Sequence, residues 1–179
     1  FLCVHTPQDV LVGLGISLIA VCGAIGFTRW IDKADAIEPG HNKDIVVTIV
    51  VTAACVIITV ILFLKPYPMD YVNGELLVDP QKMMKDACQS IGLVCGFMPG
   101  WVLERRYVRF STDGLTFGAR VVRFVCGVVI TIGLFLLVET LCKFVMPYNL
   151  AQLFGMAALA FSAAFLSPFA FTALERRKA

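Results

Sequence analysis

Long apolar runs separated by short polar stretches make up most of the chain. A transmembrane helix needs about 20 consecutive, mostly apolar residues to cross the hydrocarbon core of a bilayer. Five runs approach that length, at residues 10–27, 45–64, 87–103, 124–145 and 150–174. The third run is the least apolar, because Gln89, Ser90 and Pro99 lie within it. The pattern predicts an all-α, polytopic transmembrane helix bundle of about five spans.

The composition agrees with this architecture. Hydrophobic residues make up 59% of the 179 residues and charged residues 16%. A soluble domain has about 45–50% apolar and about 25% charged residues. The charged residues of this chain lie mainly between the apolar runs, as expected of a membrane protein.

The basic residues are shared unevenly between the connections. Three lie between the first two runs, five between the third and fourth, and three in the C-terminal tail. The other two connections hold three, and Lys143 at the end of the fourth run adds a fourth on that side. Connections rich in Lys and Arg stay in the cytoplasm. The distribution therefore predicts a multi-pass protein of the cell membrane, with His5 on the extracytoplasmic side and the C-terminus in the cytoplasm.

The seven cysteines lie mostly inside apolar runs, and none belongs to a Cys-x-x-Cys pair or accompanies a histidine cluster. We expect them to pack as small apolar side chains. We expect neither a metal site nor a cofactor. The chain has no basic domain and no nucleic-acid-binding motif, so membrane lipids rather than nucleic acid are the expected partners.

The polar opening "VHTPQD" directly before the first apolar run has two interpretations. In the first, Thr6 caps the helix, Pro7 occupies its first position and Asp9 complements the helix dipole. In the second, His5 and Asp9 lie four residues apart and share one helix face. The carboxylate then fixes the histidine tautomer, and the other ring nitrogen is free to attack phosphorus.

The stretch "VHTPQDVLVG" resembles the end of the third signature of the type 2 phosphatidic acid phosphatase superfamily. That signature reads Ser-Arg, five residues, His, three residues, Asp, and His5 and Asp9 match its second half. The resemblance implies a metal-independent integral membrane phosphatase that acts on a lipid phosphate or a polyprenyl pyrophosphate. It also implies that His5 is the nucleophile, which forms a phosphohistidine, and that Asp9 is its partner.

Two further signatures of that superfamily, Lys-x6-Arg-Pro and Pro-Ser-Gly-His, do not occur between residues 1 and 179. The "EPGH" at residues 38–41 lacks the serine, and we interpret it as a turn. We therefore expect the chain to be the C-terminal part of a bacterial member, inactive on its own. Residues 1–28 would be the last helix of the catalytic core, and residues 29–179 a membrane extension of four spans. The sequences "PYPMDY" and "GELLVDPQKMMKDA" also resemble the tails of bacterial members with long C-terminal regions.

Small residues recur every four positions in the third run, at Cys88, Gly92, Gly96 and Gly100. This spacing lets another helix approach closely. The partner helix is either one of the same chain or that of a second copy, which would make a homo-oligomer. In the fourth run, Glu139 lies near a predicted membrane face, one turn before Lys143, and we interpret the two as an interfacial ion pair.

The connection between the third and fourth runs, at residues 104–123, holds five arginines with aromatic residues between them. It either fixes the topology or lies on the anionic inner leaflet. For the chain as a whole, the alternative to the phosphatase hypothesis is a non-enzymatic helical membrane module for assembly or lipid interaction. In that case the opening stretch only caps the first helix.

Overall fold

The computed structural model describes residues 7–38, 40–69, 71–72, 74–76 and 79–176. This part of the chain is helical apart from one small hairpin, which confirms the predicted helical membrane bundle. Two π-helical turns, Glu104–Val108 and Ser162–Leu166, follow α3 and α5 respectively. The α-helices are α1 (Pro7–Ile37), α2 (Lys43–Leu64), α3 (Pro80–Leu103), α4 (Phe117–Lys143), α5 (Tyr148–Phe161) and α6 (Ser167–Arg176).

Four described helices are long and apolar enough to cross a membrane: α1, α2, α4, and the continuous helix Tyr148–Leu174 formed by α5 and α6. The 24-residue α3 is not among them, although a span was predicted there. Its first turns carry Gln81, Lys82, Lys85 and Asp86, so only its second half is strongly apolar.

The chain divides into two compact units, residues 1–44 and residues 45–179. The first unit consists of α1 and the connection after it. In α1, Ile31 and Ala34 are buried, and the side chains of the first two turns are exposed. The helix extends ten residues beyond the predicted span, because the polar segment after residue 27 continues the helix outside the apolar run.

A short hairpin joins α2 to α3 in the second unit. Strands β1 (Tyr71–Val72) and β2 (Glu75–Leu76) pair in antiparallel fashion, and Gly74 takes the positive φ of 84° that the tight turn needs. Asp79 then caps α3, since its Oδ1 accepts the backbone N–H groups of Gln81 and Lys82 at 2.9 and 3.3 Å. With Pro80 at the first position, α3 begins seven residues before the predicted span.

The second unit is held together mainly by α3, α4 and α5. The glycines of α3 meet α5 in matching order: Gly92 faces Leu153 and Gly96 faces Ala157. Both residue numbers increase in the same direction, so α3 and α5 run parallel. A Cβ at either glycine would collide with a backbone carbonyl of α5, so the predicted small-residue stripe packs within the chain. A second copy could use it only by displacing α5.

The α4 helix packs against α5 and α6 in the opposite direction. Gly155 of α5 packs on Glu139 of α4, where an added Cβ would lie 3.0 Å from the glutamate Cβ. Further along, Gly127 of α4 faces Ser167 and Phe171 of α6. Along the chain, α4 follows α3 and runs back to the start of α5. Since α3 lies beside α5 and runs parallel to it, α3 spans the same layer as α5. This packing agrees with about five spans.

Candidate functional site

The two residues predicted to carry catalysis stand at the start of α1. His5 lies outside the described residues. Asp9 is in the first turn of α1, and its side chain is exposed. The structure therefore places the Asp9 carboxylate at an exposed helix end. The pairing of this carboxylate with the imidazole of His5 stays a prediction.

The second histidine, His41, has a structural position at the other end of α1. It is buried, and its Nδ1 accepts the backbone N–H of Lys43 at 3.1 Å, at the point where α2 begins. Its Nε2 lies 3.3 Å from Oδ1 of Asp35 in the last turns of α1. Gly40 before it has a φ of +84°, so "EPGH" is the turn that was predicted.

A polar cluster crosses the otherwise apolar contact between α3, α4 and α5. Its centre is Glu139, the one residue of α4 that is buried in the described structure. Lys143, one turn further along α4, places its Nζ 2.6 Å from Glu139 Oε1. The predicted pair of these two residues is confirmed. The Lys143 ammonium also lies 5.3 Å from the ring centroid of Tyr148.

Two glutamines extend this cluster to the neighbouring helices. Gln152 of α5 is 3% exposed, and its Nε2 donates to Oε1 of Glu139. Its Oε1 accepts a hydrogen bond of 2.7 Å from Nε2 of Gln89 on α3. Glu139, Gln152 and Gln89 thus join three helices through side-chain contacts alone.

A second, smaller pair lies one turn nearer to the hairpin. Asn149 of α5 is buried, and its Nδ2 donates to Oε1 of Gln81 on α3 at 3.2 Å. Together with the Gln89–Gln152 bond it fixes α3 and α5 in register. Sequence reasoning noted Gln89 only as a weakness of the third apolar run and did not weigh Gln152. Each of the two glutamines is an isolated amide within a segment of small apolar residues, and this sequence feature could have identified them.

The contacts of this cluster suit a role in holding the helices together rather than a role in phosphoryl transfer. Its carboxylate is engaged by a cation and an amide, and ionisable groups inside membranes usually pair in this way. The described cysteines are free thiols, and within the described residues no three His, Cys, Asp or Glu side chains converge as metal ligands would. The described part of the chain thus supplies paired polar groups at this site, and the exposed carboxylate of Asp9 in the first turn of α1.

An apolar cavity of about 400 Å³ lies at the same end of the second unit as Lys143. It is formed between the end of α2 and the start of α3, and Leu62, Tyr67, Met83 and Met84 are among its lining residues. None of the residues that line it is charged. The cavity fits a hydrocarbon group and lacks the basic side chains that would hold a phosphate.

Comparison with known proteins gives one match. A family model described as "PAP2 superfamily phosphatase, transmembrane extension" matches residues 88–179. This segment covers slightly more than half of the chain, from the third turn of α3 through the end of α6. No curated protein and no solved structure matches the chain.

Proposed function

The chain belongs to the family of PAP2 superfamily phosphatase transmembrane extensions, and from that premise we propose that it is part of an integral membrane phosphatase. Its substrate would be a lipid phosphate or a polyprenyl pyrophosphate. In this proposal, residues 1–28 form the last helix of the catalytic core and residues 29–179 form the extension. The single observation that carries the proposal is the family match, which names the phosphatase superfamily.

The candidate catalytic pair supports the assignment from a different part of the chain. Asp9 is exposed in the first turn of a helix long and apolar enough to cross a membrane. His5 precedes it by four residues in the sequence, and in this proposal the two side chains meet beside the start of α1. The positive charges of the connections favour the extracytoplasmic side for this end of α1. Lipid headgroups are accessible at such a position.

The proposed reaction has two steps. The unprotonated ring nitrogen of His5 attacks phosphorus, the bond from phosphorus to the leaving-group oxygen breaks, and that oxygen takes a proton from a general acid. Asp9 accepts the other ring N–H and stabilises the imidazolium character that develops. Water then attacks the phosphohistidine, which releases phosphate and restores the imidazole.

The general acid and the phosphate clamp must come from elsewhere than His41. Asp9 and His41 lie at opposite ends of one unbroken helix, which places them about 40 Å apart at 1.5 Å per residue. Donors that neutralise the phosphate oxygens give most of the transition-state stabilisation in phosphoryl transfer. In the proposed enzyme these donors therefore belong to other parts of the catalytic core.

The test compares His5→Ala and Asp9→Asn with Gln8→Ala, a matched control in the same segment. Each substitution is made in the complete phosphatase, because two of the signatures do not occur in this chain. Phosphate release is measured from dioleoyl phosphatidic acid and from a polyprenyl pyrophosphate in detergent. We expect His5→Ala to abolish turnover and Asp9→Asn to lower kcat by about 10²–10⁴-fold, as for other histidine–carboxylate pairs. Gln8→Ala should stay near wild type. An acid-labile ³²P label should appear on the wild-type protein and be absent from His5→Ala.

The second candidate function is a non-enzymatic membrane module for assembly or lipid interaction. The close packing of α3 against α5 and the polar cluster favour it, since they build a stable bundle without the residues of α1. The same experiment separates the two candidates. If His5→Ala retains full phosphate release, the opening stretch is a helix cap, and the phosphatase assignment of His5 fails.

A further inference from the structure

A second cavity lies at the opposite end of the bundle from Lys143. Its volume is about 300 Å³, and its lining includes Phe110, Thr112, Arg120, Arg123 and Ser167. We call it the arginine pocket. It is formed by the connection after α3, the first turns of α4 and the first turn of α6, so it lies wholly within residues 45–179.

The backbone before α4 places the ring of Phe110 at the base of the pocket. The π-helical turn ends at Arg109, whose φ of +50° is left-handed. This reversal lets the N–H of Phe110 donate to Oε1 of Glu104 at 2.8 Å. The Phe110 ring then lies 6.5 Å, centroid to centroid, from the ring of Phe171 on α6.

The guanidinium group of Arg123 lies over these two aromatic rings. Its central carbon is 5.3 Å from the ring centroid of Phe110 and 6.0 Å from that of Phe171. Arg120, three residues earlier on α4, is exposed and lines the same pocket. Residues three apart are neighbours on a helix surface, so two guanidinium groups converge on one cavity. Such groups recognise phosphate through paired N–H donors.

A buried hydroxyl also faces this space. Ser167 is 5% exposed, and its Oγ has no hydrogen-bond partner within the described part of the chain. A buried hydroxyl that lacks a partner costs free energy. Ser167 lines the arginine pocket and an adjoining groove as well, so a ligand with acceptor oxygens would satisfy it.

The adjoining groove has a volume of about 340 Å³ and continues along α4. It shares Arg123 and Ser167 with the pocket and extends past Gly127 and Val128 to Ile132. From residue 123 to residue 132 the helix rises about 13 Å. Because position 127 has no side chain, the groove stays open beside Phe171, whose ring would lie 3.8 Å from a Cβ there.

We propose that the arginine pocket and this groove form one site for an anionic phospholipid. The phosphate binds Arg120 and Arg123, with Thr112 and Ser167 as further hydrogen-bond donors, and one acyl chain lies along α4 past Gly127. The continuous apolar groove favours a lipid over a free phosphate ion. The residues that line the site all belong to the second unit, and the proposal does not depend on the proposed phosphatase activity.

The experiment measures lipid binding to the purified chain in a neutral detergent by native mass spectrometry. The probes are dioleoylphosphatidylglycerol, dioleoylphosphatidylcholine and inorganic phosphate. We expect the anionic lipid to bind at least about tenfold more tightly than the zwitterionic one, a ratio that corresponds to about 1.4 kcal/mol. Inorganic phosphate at millimolar concentration should not displace it. Equal binding of the two lipids, or displacement by phosphate, would overturn the proposal.

Three variants locate the site. Arg120→Gln removes an exposed charge, and Gly127→Leu fills the groove without changing any charge; each should weaken binding of the anionic lipid about tenfold or more. Arg29→Gln, an exposed arginine on α1, is the matched control and should bind as the wild type does. Arg123→Gln should lose more, and if it does not fold, the other two variants decide. Wild-type binding by Arg120→Gln and Gly127→Leu would overturn the proposal, and so would an equal loss in Arg29→Gln.

Discussion

The helices α1 and α2 and the group α3 to α6 are all rich in apolar residues, but they pack in different ways. In α1 the buried residues are Ile31 and Ala34, near its end, and in α2 they are Asp44 and Cys55. In α3 buried positions recur every four residues from Cys88 to Gly100, and α5 has six buried positions; most of those in the two helices are glycine, alanine or amides.

This difference has a physical origin. Apolar side chains gain little by leaving lipid for another apolar surface, so hydrophobicity alone does not bring transmembrane helices together. Small residues allow backbone contact, and amides form hydrogen bonds that lipid cannot offer. The most apolar helices are therefore the least packed within the described structure, and α3, the least apolar helix of spanning length, is packed along its whole length.

The largest expected effect follows from the closest contact. Gly96→Leu places a side chain on the backbone of Ala157, so α3 and α5 must separate. We expect a loss of about 3 kcal/mol or more, at the upper end of the overpacking range. The thermal unfolding midpoint of the detergent-solubilised protein measures this loss.

Gly23→Leu on α1 is the control, because no described atom lies within 4 Å of a Cβ there. It should unfold at the wild-type temperature. If both leucines have the same effect, the proposed difference between the two regions is wrong.

A smaller effect is expected for the polar cluster. Gln152→Leu leaves both Gln89 and Glu139 without the amide between them. Interhelical hydrogen bonds in membranes contribute about 0.5–2 kcal/mol, and we expect a loss of stability in that range. Ser17→Ala is the control, since Ser17 Oγ donates only to Gly13 within α1, at 2.8 Å. Equal stability of Gln152→Leu and wild type would show that the glycines alone specify the packing.

The smallest effect tests how α2 is attached. The thiols of Cys95 on α3 and of Cys55, the buried cysteine of α2, lie close to each other. Mild oxidation in the membrane should therefore link Cys55 to Cys95 with little change in stability, detected by peptide mapping. Cys55→Ser and Cys95→Ser should each abolish the link. Failure to form it in the wild type would mean that α2 lies elsewhere.

Much of the fold could be predicted from the apolar runs, because about 20 such residues in a row have few alternatives to a membrane span. The helix ends were predicted less well. The α1 helix continues through residue 37 in a polar segment, and α3 begins at Pro80 because Asp79 caps it there. The pairing of the two short strands between α2 and α3 was not predicted.

The candidate sites show the same limit. The Glu139–Lys143 pair was predicted because both residues belong to one helix. The glutamines that complete the cluster come from α3 and α5, and their meeting depends on how those helices are rotated, which a single sequence does not specify. The family match rests on residues 88–179, whereas the His5–Asp9 motif lies outside it and stays a prediction.

The π-helical turn at Ser162–Leu166 sets the orientation of everything that follows it. One extra residue in such a turn rotates the downstream helix by about 100° relative to an uninterrupted α-helix. This phase offset turns Ser167 and Phe171 towards α4. A chain one residue shorter here would still be apolar and helical, yet it would present a different stripe of α6 to its neighbour. The number of residues in this turn is therefore as constrained as their identity.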